Sequence, residues 1–162
     1  MRRWRLFSLI LLGIVVFLAV SALLARVFSA TNAEQAAVTA VVSDEARGDG
    51  AAVISRIQGC AASPQCRAGV ARDVGALRRH GAIQIAQYSP SSSFSLFGTE
   101  GIARVAWTAG SSKPIVQCVL VRRAGNALSG QRIELLVLSP RIRTGADCPK
   151  TARALRADVQ PR

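Results

Sequence analysis

Chemistry needs nucleophiles, acids, bases or metal ligands in workable combinations, and this sequence offers few. Its one histidine, His80, lies between Arg79 and Gly81. That is the end of a predicted helix, where the helix dipole favours a cation, so His80 reads as a capping residue rather than a base. With no other histidine, Ser91, Ser92, Ser93 and Ser95 have nothing to activate them as nucleophiles and read as a polar loop. Asp44, Glu45 and Asp49 form a local group of carboxylates, yet adjacent helix positions point in different directions, and the three read as solvated surface. Tyr88 and Asp73 have the types of an acid and general-base pair, with nothing in the sequence to bring them together. No glycine-rich phosphate loop occurs. These readings name no catalytic residue and no cofactor site.

Cys60, Cys66, Cys118 and Cys148 are separated by six, fifty-two and thirty residues. Metal ligation would call for Cys-x-x-Cys spacing or histidine company, so no metal is expected. An even cysteine count in an exported segment points instead to two structural disulfides.

The elements that carry these residues follow from periodicity. Thr31-Asn32-Ala33-Glu34 has the form of a capping box, which predicts a helix start there. Ala37, Val38, Val41 and Val42 then recur at helical spacing, and Arg47-Gly48 supplies a terminal cation and a C-cap. Asp49 caps a short second helix with Val53, Ile54 and Ile57 on its apolar stripe, ending at Gly59. Ser63-Pro64 opens a third, in which Cys66, Val70, Val74 and Leu77 form one buried stripe before Gly81 closes it. Cys60 and Cys66 therefore flank the corner between the second and third helices, where a disulfide would staple the turn.

Beyond Gly81 the period changes to two, and four strands in hairpin order are predicted: 82–89, 101–109, 115–123 and 132–139. The first should face Ile83 and Ile85 one way and Tyr88 the other. The third, apolar on both faces except for Gln117, should be central. Cys118 lies in its middle, and Cys148 lies eight residues past Pro140. Eight residues reach about 26 Å, more than a sheet of four strands requires, so Cys118 and Cys148 are expected to pair. Residues 149–162 show little periodicity and are expected to be a disordered tail. Between the first two strands, Phe94, Leu96 and Phe97 interrupt a polar connector. They form a candidate binding loop, either folded back as a lid or presented to a partner.

The segment from Leu6 to Ala25 has twenty residues and no charge. A helix of that length matches a bilayer, and Arg2, Arg3 and Arg5 on its N-terminal side keep that end cytoplasmic. The expectation is a single-pass plasma-membrane protein: 1–30 tip and anchor, 31–148 an extracytoplasmic domain, 149–162 tail. The alternative is a secretory signal cleaved near Thr31, giving a freely secreted domain, although Phe28 is bulky for that cleavage site. The net charge is +12; seventeen of 21 basic residues and all nine acidic ones lie beyond residue 30. This basic balance suits an anionic envelope surface or partner protein, and nucleic acid is excluded by compartment and by the lack of interleaved aromatics.

Helices first and an antiparallel meander after them define an α+β class: an N-terminal transmembrane helix, then about three helices on a curved four-stranded antiparallel sheet. The helical pair ending at 66–81 and long strands such as IVQCVLVRR and RIELLVLS give an architecture that resembles the cone-shaped nuclear-transport-factor-like or cystatin-like superfamily. That resemblance implies a pocket between sheet and helices, and a range of functions from isomerases to non-catalytic binding modules. Enzymes of the group need a carboxylate or histidine in the pocket, and Glu134 is the nearest case on the strands. Two readings follow: a non-catalytic interaction module of the cell envelope, or a carrier or isomerase-type enzyme using the pocket. A pocket plugged by Trp107, Phe94 or Phe97 favours the first; an open apolar pocket holding a perturbed carboxylate favours the second.

Overall fold

The computed structural model describes residues 2–91, 100–126, 130–143 and 145–159, and the chain forms two compact units, Met1–Ala33 and Glu34–Arg162. The first unit consists of the N-terminal part of α1 (Arg2–Arg47). The run at 6–25 is helical, but the expected transmembrane helix is overturned: among the described residues no helix is long and apolar enough to cross a membrane. The helix start expected at Thr31 is likewise corrected, because α1 runs through it. Ala33, Ala36, Ala37 and Ala40 are the strongest helix formers and supply no reason to stop.

Within the second unit, α1 buries Val38, Val41, Val42 and Ala46 completely. It ends as expected at Gly48, whose φ of +83° suits a residue without a side chain. Asp49 accepts a hydrogen bond from the Ala52 N–H at 2.9 Å and so caps α2 (Gly50–Arg56). A 3-10 turn, Cys60–Ala62, leads into α3 (Pro64–Leu77), where Ser63 caps and Pro64 occupies the first turn.

The sheet is a meander of β1 (Ile83–Ser89), β2 (Glu100–Ala109), β3 (Ile115–Asn126) and β4 (Gly130–Leu138), every neighbouring pair antiparallel. The register of β1 shifts between Ile85 and Gln87. One extra residue moves each later side chain to the opposite face, so Tyr88 joins Ile83 and Ile85 on the helix-facing core instead of opposing them. On that face Val105, Trp107, Val119 and Val121 pack with the valines of α1 and with Val53, Val70 and Val74. The far end of the β4 edge is partly covered, since the Gln58 N–H bonds the Leu135 carbonyl at 2.8 Å.

The tail expectation is also corrected. Residues Ala152–Val159 form α4, capped by Thr151, and Leu155 is 1% exposed against Cys118 and Leu120 on the opposite face of the sheet. Both expected disulfides are present, Cys60–Cys66 with Cα atoms 5.2 Å apart and Cys118–Cys148 with Cα atoms 5.7 Å apart. The second ties the segment leading to α4 onto β3.

Candidate functional site

Along α1, Glu34, Val38, Val41, Val42 and Glu45 fall at spacings of three and four, so they share one face. That face packs on the sheet, and a carboxylate is carried inward at each end of the valine stripe. Both Glu34 and Glu45 are fully buried. Their surroundings differ.

Glu34 is satisfied on all sides. It accepts hydrogen bonds of 2.8 Å from the Tyr88 hydroxyl, the Ser91 N–H, the Ser91 hydroxyl and Arg123 Nη2. Burial pushes its pKa up, but the Ser91 backbone bond and the side-chain bonds from Arg123, Ser91 and Tyr88 outweigh that, and the net shift is downward. Burial and the bond to Glu34 push the Tyr88 hydroxyl up. This cluster fastens β1 and β3 to α1.

Glu45 is only half satisfied. Its Oε2 accepts a 2.8 Å bond from Gln117 Nε2, which also donates to the Ser139 carbonyl at 3.1 Å. Gln117 Oε1 accepts from the Trp107 indole at 2.7 Å. An indole N–H can only donate, so it holds the Gln117 amide with its oxygen toward Trp107 and its nitrogen toward Glu45. Among the described residues Glu45 Oε1 has no partner. Burial, only partly offset by the Gln117 bond and reinforced by the charge of Asp73, raises the Glu45 carboxyl to about 7.

Glu45 lines a cavity of about 460 Å³, within the range of about 300–1,000 Å³ usual for small-ligand pockets. Val53 of α2, Ile57 just beyond it, Val70 of α3, and Leu136 and Leu138 of β4 supply apolar wall, and Asp73 joins Glu45 on the lining. The Cys60–Cys66 bridge and Gly69 complete the α3 side; a Cβ placed on Gly69 would meet nothing within 4 Å. Burial raises the Asp73 carboxyl too, against the opposing charge of Arg72.

The sequence-based candidates are placed differently from one another. Asp49 does cap a helix, but Asp44 and Glu45 are not the expected solvated surface: Asp44 is 2% exposed and pairs with Arg47 and Arg56. Tyr88 and Asp73 do not meet, the one bonding Glu34 and the other lining the cavity. Ser91 is consumed by Glu34, and Glu134 by Arg122 at 2.8 Å. His80 is exposed and lies beyond α3, whose C-cap is Arg78. Trp107 is buried in the core and is not part of the cavity wall. Phe94, Leu96 and Phe97 lie outside the described residues. The signal that points to the site was present in the sequence: a glutamate in phase with the valine stripe it follows.

No family model, curated protein or solved structure matches the chain.

Proposed function

We propose that the unit Glu34–Arg162 is a small-molecule-binding module that takes a ligand with an apolar body and one polar head into the cavity beside Glu45. The observation that carries this reading is that Glu45, whose buried Oε1 has no partner among the described residues, lines a cavity with largely apolar walls. A buried carboxyl oxygen without a partner costs about 1–3 kcal/mol or more, and a ligand group that bonds it recovers that cost. Two disulfides fit work in an oxidising compartment outside the cytoplasm. Nothing in this reading requires catalysis.

The test uses the full chain and N-phenyl-1-naphthylamine, a neutral dye that brightens in apolar sites. The wild type should bind it saturably, and Gly69→Phe, which grows a ring into the cavity from a position with space for it, should weaken binding at least tenfold with the melting temperature kept. Equal binding by the two proteins would place the dye elsewhere and end the proposal.

A further inference from the structure

We infer that the polar head of the ligand is a cation, an ammonium on an apolar chain, seated at the Glu45 and Asp73 end of the cavity. This rests on the small-ligand reading above. Three observations carry it. The first is the fixed direction of Gln117: with its oxygen committed to Trp107 and its nitrogen to Glu45 and Ser139, it does not serve Glu45 Oε1, which has no donor among the described residues and is open to one from a ligand. The second is a local reversal of charge. The chain carries +12 overall, yet Glu45 of α1, Asp73 of α3 and Asp158 of α4 all line this cavity.

The third is the disposition of the basic groups beside them. Arg156 of α4 also lines the cavity but is held by both Glu100 oxygens, at 3.1 and 2.9 Å. Arg72 lies next to Asp73 on α3, and its charge lowers the Asp73 pKa without cancelling the rise from burial. From α2, Arg56 is taken by Asp44. The segment of β4 on the wall, Leu136 to Leu138, contributes no charge, and β3 contributes the neutral Gln117. An ammonium donates up to three hydrogen bonds and accepts none. It therefore suits a cavity wall that carries both the Glu45 and the Asp73 carboxyls. A carboxylate head would meet repulsion, and a hydroxyl would form no charge-assisted bond from its own charge.

The experiment displaces N-phenyl-1-naphthylamine from the full-length protein with n-octylamine, 1-octanol and octanoate. At pH 8 octylamine should bind at least tenfold tighter than octanol, the ratio expected for a charge-assisted bond over a neutral one, and octanoate should be weakest. Lowering the pH to 5.5 protonates Glu45 while the amine stays charged, so the advantage of octylamine should shrink severalfold. In Glu45→Gln the ratio of octylamine to octanol affinity should fall close to unity, and Asp73→Asn should reduce it partly. Octanol or octanoate binding as tightly as octylamine would overturn the cation assignment while leaving the pocket reading intact, as would an advantage that survives Glu45→Gln. If dye binding is insensitive to Gly69→Phe, the pocket reading fails first and the assignment with it.

Discussion

Glu34 and Glu45 are the same residue type on one helix face, equally buried, and they should respond to pH with opposite signs. Glu45 has its pKa raised from 4.5 to about 7 in the folded protein. Its proton is held more tightly folded than unfolded, so its contribution to stability is full below pH 4.5, declines as pH rises, and is gone above about 7. At 1.36 kcal/mol per pKa unit the loss amounts to about 3 kcal/mol. Glu45→Gln should abolish that slope and melt higher than the wild type at pH 8, and thermal unfolding of the two proteins across pH 4 to 8 checks it. A variant that melts lower at pH 8 would show that the ionised carboxylate is stabilised by something the unpartnered oxygen does not reveal. Glu34, with its pKa lowered, contributes above the ordinary carboxylate range and loses that contribution as pH falls through its folded pKa. Glu34→Ala leaves Arg123 facing the core without its counter-charge and should cost about 3 kcal/mol at pH 7. Urea unfolding measures this, and a loss under 1 kcal/mol would mean that the Tyr88, Ser91 and Arg123 cluster repairs itself with water.

Between elements, two staples and one helix hold the sheet. The chain-entropy estimate for the 30-residue loop closed by Cys118–Cys148 is ~3–4 kcal/mol, against about 2 for the six-residue Cys60–Cys66 loop. Replacing Cys118 and Cys148 together by alanine should therefore lower the melting temperature more than replacing Cys60 and Cys66, and differential scanning calorimetry ranks them. Leu155 seals the face of the sheet opposite α1, so Leu155→Ala should cost about 2–4 kcal/mol. Near-neutral behaviour of that variant would mean α4 docks too loosely to matter. In the second unit α2, α3, β2 and β3 were legible because caps and periodicity agree at them: Asp49, Ser63-Pro64, and the alternation in β2 and β3. Tyr88 was misassigned to the far face because a bulge is a single extra residue with no glycine to announce it, and α4 was missed because eight residues with one buried leucine carry too little pattern to stand out from a basic tail.

At the scale of the molecule, element order alone placed helices against one side of a four-stranded meander, but it did not place the cavity, which lies beside the β4 edge among α2, α3 and α4. The site itself was hidden by a correct rule applied too locally. Adjacent carboxylates on a helix do diverge, and for that reason Asp44 can reach outward to Arg47 and Arg56 while Glu45 turns inward. The transmembrane reading rests on composition alone and is overturned, since among the described residues no helix is long and apolar enough to cross a membrane. There remains the spacing of Glu34 and Glu45, eleven residues and so close to three whole turns. A helix pinned at one end by four hydrogen bonds cannot spin or creep, which makes α1 an indexing shaft: Tyr88, Ser91 and Arg123 set its angle, and Glu45 is delivered to the cavity at the angle so set. One alanine inserted between Ala40 and Val41 would advance everything beyond it by about 100°, leaving Glu34 clamped while Glu45 is swung off the cavity wall.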